Sequence, residues 1–289
     1  MAKLHTELLT NGTFSLPALR TFKLRHSSLS DNSFNALIPL VPNLRRIDIS
    51  FTNVRRPLSA ALDGFANLDK LSITSTNVSP YDLLLVLSVA SRLRTLNIGA
   101  LGGSHGQRNA TMTLRDDHLR SMTEILSQNT HIENVSLVGN SKLARDEECI
   151  AEFIRLVGRK LKVRPLKMAS ACSPLAQKKV RQKLNLSGLS FLRSQDLMHL
   201  APGDSEEAVC SLQELSLNST LIDDDATTYI SCCPLLETLG VAGTKLSSRF
   251  CCVRNQSEFT LQQAKDCFPS LTPVPNFPHL ISRAAEVSQ

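Results

Sequence analysis

Metal-ligating and nucleophilic side chains are plentiful in this sequence, but their spacing is unlike that of a metal or catalytic centre. The chain has eight cysteines and seven histidines. A structural zinc site needs thiolates or imidazoles separated by a few residues. Here Cys232–Cys233 and Cys251–Cys252 are directly adjacent pairs, and no histidine falls at ligand spacing from a cysteine or a carboxylate. We therefore predict no bound metal, and we expect cysteines within apolar patterns to be buried thiols.

Two further motifs suggest chemistry that their context does not support. Asp223–Asp225 is a run of carboxylates, but it stands where a helix should begin, so we predict helix capping and stabilisation of the helix dipole. Gly99–Gly103 follows a strand pattern, but it lacks the spacing and the lysine of a phosphate-binding loop. The sequence nominates no nucleophile and no general acid or base. We expect a protein without enzymatic activity, catalytic residues or a cofactor.

Positive charge is concentrated in residues 153–195, which contain eleven Lys or Arg and no Asp or Glu, in a chain of net charge +6. The densest clusters comprise Arg159, Lys160, Lys162, Arg164, Lys178, Lys179, Arg181 and Lys183. Such a segment predicts nuclear import or contact with nucleic acid or an acidic protein. A solvated insertion is the alternative, and the lack of interleaved aromatic residues argues against base stacking.

The elements that position these side chains follow a repeated pattern, Leu-x-x-Leu-x-Leu. It begins at Leu19, Leu44, Leu68 and Leu93, which are 25, 24 and 25 residues apart. It returns at Ile132, at Arg181 (in place of the first apolar residue), at Leu212 and at Leu236. Because apolar residues alternate within each motif, the pattern predicts a short strand in every unit, and the constant period predicts stacked repeats.

Between the strands the apolar spacing lengthens to three or four residues, which is typical of helices. We predict helices over Asp31–Val41, Pro80–Leu87, Asp116–Leu126 and Asp146–Val157, and one opening at Asp223. Each unit is then a strand, a turn and a helix. Five buried aliphatic side chains contribute roughly 10 kcal/mol, far less than the cost of ordering about 25 residues, so the units must share one core.

In these features the chain resembles the ribonuclease-inhibitor-like superfamily of leucine-rich repeats. It is nearest the cysteine-containing repeats of F-box substrate receptors, because Tyr229–Leu239 matches their link from a helix through Cys-Pro to the next strand. The resemblance implies an α/β solenoid, a horseshoe with a concave parallel sheet and convex short helices, and ubiquitin-ligase components as partners. The chain departs from the subtype after the strands, where Thr52, Thr76, Thr220 and Thr244 replace Cys or Asn, and it shows no F-box upstream.

The domain organisation follows from the extent of the repeats. Residues 1–18 are expected to be an N-terminal segment or partial cap, 19–250 the leucine-rich-repeat domain, and 251–289 a C-terminal cap and proline-rich tail. The domain should hold about eight or nine repeats, with insertions near 100–113 and 165–180. A degenerate repeat with strand residues Leu161 and Val163 is expected between the Ile132 and Arg181 motifs.

Function should reside on the outward strand positions, because the apolar positions point into the core. We predict a partner-binding face on the first four strands, made of Lys23, Arg25, Arg46, Asp48, Lys70, Ser72 and Asn97, with His26 adjacent. Such a basic patch would dock an acidic segment of a protein partner, and a merely solvated sheet face is the alternative. No signal peptide or membrane-spanning run is found, so we expect a cytoplasmic or nuclear protein and no membrane partner. Nucleic acid is the alternative partner, and the oligomeric state is not indicated.

Overall fold

The computed structural model describes residues 15–55, 62–101, 112–158, 182–201 and 210–247. These residues form two compact units. The first holds the described residues up to Ile132 together with Val138–Asn140, and the second holds Glu133–Leu137 and the described residues from Ser141 onward. Residues 1–14 and 248–289, which include most of the predicted N-terminal segment and the proline-rich tail, lie outside the described residues.

The first unit is built on four parallel strands that pair in the order of the chain. They are β1 (Thr21–Lys23), β2 (Arg46–Asp48), β3 (Lys70–Ser72) and β4 (Thr95–Asn97). Their central residues align in register, Phe22 beside Ile47, Ile47 beside Leu71, and Leu71 beside Leu96. The ladder continues past each strand, since the backbone N–H of Ile49 donates to the Ser72 carbonyl. The constant period therefore places the same motif position of each repeat beside that of the next.

Helices follow these strands where the spacing predicts them. They are α1 (Asp31–Leu37), α2 (Pro80–Val89) and α3 (Asp116–Gln128), with 3-10 turns at Ile38–Leu40 and Leu62–Phe65. Serine hydroxyls cap two of them, because Ser30 accepts the Ser33 N–H at 3.3 Å and Ser79 accepts the Asp82 N–H at 3.1 Å. Pro80 occupies the first turn of α2, where its missing N–H is not needed.

A single, mainly aliphatic core, which also contains the fully buried Phe34 and Phe65, fills the space between these strands and helices. Ile49, Ile73 and Ile98 each leave at most 1% of their surface exposed. Phe22 and Leu24 of the first repeat are only half-buried, because among the described residues β1 has one strand neighbour, β2. The predicted alignment of Leu24, Ile49, Ile73 and Ile98 along one spine is confirmed.

The second unit repeats this plan. Its parallel strands are β5 (Asn134–Ser136), β6 (Lys183–Asn185), β7 (Glu214–Ser216) and β8 (Thr238–Gly240). Its helical elements are α4 (Glu147–Phe153) with a π turn at Ile154–Gly158, a 3-10 helix at Ser194–Leu200, and α5 (Ala226–Ile230). Its core is again aliphatic, and Leu184, Leu215 and Leu236 are all buried.

The degenerate repeat predicted between the Ile132 and Arg181 motifs falls outside the part of the chain that the structure describes. Residues 159–181, which include its predicted strand residues Leu161 and Val163, lie outside the described residues. Among the described strands, Val135 of β5 pairs directly with Leu184 of β6.

Threonine hydroxyls form hydrogen bonds to the backbone in the turns that follow four of the strands. Each hydroxyl donates to the carbonyl three residues earlier, at 2.7 Å for Thr52, 2.9 Å for Thr76, 2.6 Å for Thr220 and 2.7 Å for Thr244. Thr52, Thr76 and Thr220 are buried, so these bonds satisfy a carbonyl that would otherwise be left without a donor as the chain turns away from the sheet. The threonines thus stabilise the turn after each of these strands.

The carboxylate run Asp223–Asp225 forms hydrogen bonds to the neighbouring repeats. Asp225 precedes α5 and its side chain makes no capping hydrogen bond, but Asp223 accepts the Asp225 N–H at 3.3 Å at the start of the helix, as the capping prediction expects. Asp223 also accepts the Ser194 hydroxyl at 2.5 Å, and Asp224 accepts the Ser247 N–H at 2.7 Å. The carboxylates therefore satisfy donors of the preceding and following repeats, because the helix start lies at the contact between turns.

The predicted fold class is confirmed, since both units show the α/β leucine-rich-repeat architecture of parallel strands joined through turns and short helices. In the described part of the chain, no helix has both the length and the apolar character needed to cross a membrane.

Candidate functional site

The first unit presents the predicted partner-binding residues on one sheet surface. The strand register sets Lys23 beside Asp48, Arg46 beside Lys70, and Asp48 beside Ser72. Neighbouring strands lie about 4.8 Å apart, so these side chains are near neighbours. We call this surface the first-unit face, and it consists of Lys23, Arg25, Arg46, Asp48, Lys70, Ser72 and Asn97. The fold thus brings together predicted residues from four consecutive repeats.

The charges of the first-unit face are not balanced. Asp48 is its one carboxylate, and it lies 3.6 Å from the Arg25 guanidinium while accepting the Ser50 N–H at 3.1 Å. Within the described residues, none of Lys23, Arg46 and Lys70 forms an ion pair. Lys23 and Arg46 are exposed, and Lys70 is half-buried. The face therefore carries a net positive charge that the described part of the chain leaves uncompensated.

The polar end of the face is organised by its own hydrogen bonds. Ser72 is only 3% exposed, and its hydroxyl accepts the Asn97 amide at 3.0 Å. The sequence pattern predicts that Ser72 contacts a partner directly, but its burial means that it orients Asn97 instead. Next to it, the Ser50 hydroxyl accepts the Thr74 N–H at 3.2 Å, which fixes the backbone of β3 beyond its last residue.

An aromatic pair lies beside the cations, at the carboxyl ends of β1 and β2. His26 stacks on Phe51 with ring centroids 4.3 Å apart and planes 9° from parallel. The Arg25 guanidinium carbon is 5.7 Å from the centre of the Phe51 ring, within the range of a cation–π contact. The sequence pattern places His26 next to the face but does not indicate Phe51. The one feature that points to Phe51 is a bulky residue three positions after the end of β2, where a turn residue is expected.

The equivalent surface of the second unit contrasts with the first-unit face. Lys183 of β6 and Glu214 of β7 form an ion pair, so the charges on these strands neutralise each other. Asn218 accepts the Ala242 N–H at 2.7 Å, and the Ser187 hydroxyl accepts the Asn218 N–H at 3.2 Å. The hydrogen-bonding groups on this surface thus mostly bond to other groups of the same unit.

The basic segment predicted over 153–195 is described only in part. Lys183 lies on β6 and is paired with Glu214. The other cluster residues, Arg159, Lys160, Lys162, Arg164, Lys178, Lys179 and Arg181, lie outside the described residues. Their proposed contact with nucleic acid stays a prediction.

Buried titratable groups occur in the second unit, away from its sheet surface. Cys210 and Cys233 are both buried, and their sulfur atoms are 3.1 Å apart. The hydrogen bond to Cys210, together with burial, raises the pKa of the Cys233 thiol far above its usual range. Burial likewise raises the pKa of Asp196, which accepts the Arg193 N–H at 2.8 Å. Among the described residues, no group of three or more His, Cys, Asp or Glu side chains could hold a metal ion.

Comparison with known proteins adds a structural similarity. No family model and no curated protein matches the chain. An internalin from Listeria monocytogenes is similar in structure, with 12% sequence identity and a TM-score of 0.33, over 85% of this chain and 82% of the internalin. The candidate site is therefore assigned from the strand ladder and the side chains themselves.

Proposed function

We propose that this leucine-rich-repeat protein is a non-catalytic interaction module that binds an acidic segment of a protein partner on its first-unit face. The observation that carries the proposal is a group of cations without ion-pair partners among the described residues. Arg46 and Lys70 are in register on adjacent strands, and Lys23 lies on β1 beside Asp48. The same strand positions of the second unit form an internal ion pair between Lys183 and Glu214. Of these two surfaces, the first-unit face is therefore the one that carries uncompensated charge.

The strand geometry places like charges close together. Their repulsion destabilises the protein alone, and its relief favours binding of an oppositely charged partner. Arg46 and Lys70 are direct neighbours on parallel strands, and like charges placed opposite each other on a sheet repel. A carboxylate between them would relieve that repulsion. Charge of one sign on one face also speeds the encounter with an oppositely charged partner. The cations of the first-unit face thus attract an acidic segment of the partner both as it approaches and once it is bound.

A narrower form of the proposal is the substrate-recognition half of an F-box-type ubiquitin ligase, acting in the cytoplasm or nucleus. Its support is the resemblance of Tyr229–Leu239 to the cysteine-containing repeats. In that segment α5 leads through the buried Cys233 and exposed Pro234 to the buried Leu236, as that pattern requires. Recovery of ubiquitin-ligase adaptors with the tagged full-length protein would support this form. Recovery of other partners alone would leave the general proposal standing without it.

The experiment measures the affinity of the full chain for a fluorescein-labelled peptide of alternating Glu and Gly by anisotropy. Reversing two charges with Arg46→Glu and Lys70→Glu should weaken binding roughly ten- to thirtyfold, because each exposed pair contributes about 0.2–1 kcal/mol and reversal turns attraction into repulsion. A matched variant, Arg92→Glu with Lys142→Glu, makes the same change in net charge at exposed loop residues off the face.

Two results would contradict the proposal. One is equal loss of affinity in both double variants, which would mean that only net charge matters. The other is no binding of the acidic peptide together with salt-sensitive binding of single-stranded RNA that neither variant changes. That second result would favour the basic segment as the working surface.

A further inference from the structure

The aromatic pair His26–Phe51 occupies a backbone position that most side chains avoid. Both residues lie two positions after the last inward residue of their strand motif, with φ of 53° and 60°. At the equivalent turn positions of the second unit the chain has Gly188 and Gly243, with φ of 74° and 68°, and Gly139 follows β5 with φ of 72°. A left-handed backbone is strained for residues with a Cβ, and a bulky aromatic residue such as Phe51 is rarely found there.

The fold itself does not require an aromatic side chain at these turns. Glycine occupies this turn position in three repeats, and Ser75 and Ser219 occupy it in two others with φ of 53° and 56°. His26 is exposed, so its ring is not needed to fill the core. Two consecutive repeats therefore accept backbone strain to hold a stacked pair at the surface, and strain retained in this way is found where a site is pre-organised.

We propose that the His26–Phe51 pair, with Arg25 beside it, is an anchor subsite for an aromatic side chain in the acidic segment that binds the first-unit face. The inference rests on the proposed function, which it deepens by specifying a further feature of the partner. The His26 ring stacks on Phe51, and His26 is exposed, so a second aromatic ring can reach the pair and stack on it. The Arg25 guanidinium links this pair to the first-unit face, because it contacts both the Phe51 ring and Asp48.

The spacing of the subsite predicts the spacing of the partner's residues. His26 follows Lys23 by three residues, and the chain turns at Arg25 and His26, so the two Cα atoms are at most roughly 10 Å apart. A partner segment lying extended along the strands would place its aromatic residue within about three residues of its carboxylates. Tyrosine, tryptophan and arginine dominate binding energy at interfaces, so one such ring is a suitable anchor.

The chain has no tryptophan, so a tryptophan in a peptide reports selectively on the bound ligand. Two fluorescein-labelled acidic peptides of equal length and charge are compared, one with a single tryptophan three residues from its glutamates and one with alanine there. The wild type should bind the tryptophan peptide about tenfold more tightly, the effect of one anchor residue, and the tryptophan emission of an unlabelled copy should shift on binding.

The variant His26→Gly with Phe51→Gly should abolish the preference for tryptophan, so that it binds the two peptides with equal affinity. His26→Gly alone, at an exposed residue, should reduce the preference even where the double variant folds poorly. The matched control is Ser75→Gly with Ser219→Gly, which changes equivalent turns without an aromatic ring and should leave both affinities unchanged.

The possible negative results distinguish failure of the anchor subsite from failure of the proposed function. Equal affinity of the wild type for the two peptides, or an equal loss for both in the glycine variants, would overturn the anchor subsite and leave the basic face intact. Failure of the wild type to bind either peptide would remove the proposed function and the subsite with it.

Discussion

Gly99 lies where neighbouring repeats make close contact on the sheet surface, so its replacement by alanine tests how tightly the repeats stack. A Cβ at this position would lie 2.8 Å from the Thr74 methyl carbon Cγ2, 2.8 Å from Val138 Cγ1 and 2.9 Å from the Val138 carbonyl oxygen. Carbon atoms in ordinary contact are about 3.5–4.0 Å apart. Both side chains are β-branched and stiff, and the oxygen belongs to the backbone, so the three contacts cannot all relax together.

The expected cost follows from these contacts. Overpacking of a well-packed site costs about 1–3 kcal/mol. The alanine also restricts the unfolded chain, which returns about 0.4–1 kcal/mol. Gly99→Ala should therefore lower the free energy of unfolding by about 1–2 kcal/mol.

Urea denaturation followed by circular dichroism measures this change. A loss of that size lowers the midpoint by about 0.5 M for a slope of about 2–3 kcal/mol per molar. The matched control is Gly158→Ala in the π turn after α4, where the nearest atom to the new Cβ is Leu184 Cδ2 at 3.4 Å. That variant should be neutral or more stable by about 0.5–1 kcal/mol, as is typical of Gly→Ala in a helical segment. A Gly99→Ala variant as stable as the wild type would refute this close stacking of the repeats.

Three further predictions concern the second unit. Burial raises the pKa of Asp196, so the wild type loses stability as the pH rises above the ordinary value of 3.8 and through the raised value. Asp196→Asn, whose amide oxygen can still accept the Arg193 N–H, should become progressively more stable than the wild type over that rise in thermal melts at stepped pH, and a constant difference would contradict the burial effect. Asp224→Ala removes the acceptor 2.7 Å from the Ser247 N–H, so hydrogen exchange at that amide should accelerate about tenfold, since a hydrogen bond to a charged group contributes about 1.5 kcal/mol or more. Gly188→Ala forces a Cβ onto a backbone with φ of 74° and should cost about 1–2 kcal/mol in urea denaturation, whereas an unchanged midpoint would show that the turn can adopt another conformation.

The repeat and its core could be predicted from the sequence because they depend on local periodicity. Apolar residues such as Ile47 and Ile49 alternate within a strand, and a period of 24 or 25 residues aligns them with those of the next repeat. The outward residues of the first four strands follow from the same alternation. The direct pairing of β5 with β6 could not be predicted, because the 49 residues between the Ile132 and Arg181 motifs equal about two periods and so suggest an additional repeat.

The details that distinguish the two faces depend on contacts between repeats. Lys183 and Glu214 are 31 residues apart and become partners only once β6 and β7 are adjacent. Phe51 meets His26 because both follow neighbouring strands with the same left-handed turn, a conformation that their residue types disfavour. The burial of Ser72 likewise arises from its neighbour Asn97 on the next strand. Residue type and spacing alone carry no information on these pairings.

The most direct test of partner recognition by the first-unit face introduces a photo-crosslinking amino acid at Thr21, a half-buried outward residue of β1, in full-length protein inside cells. The control position is Gln128, at the end of α3 and away from the strands. We predict that a protein with an acidic segment crosslinks from position 21, that Arg46→Glu with Lys70→Glu abolishes the adduct, and that Arg92→Glu with Lys142→Glu does not. Adducts that form only from position 128, or that survive the charge reversal on the first-unit face, would contradict the claim that this face is where the protein recognises its partner.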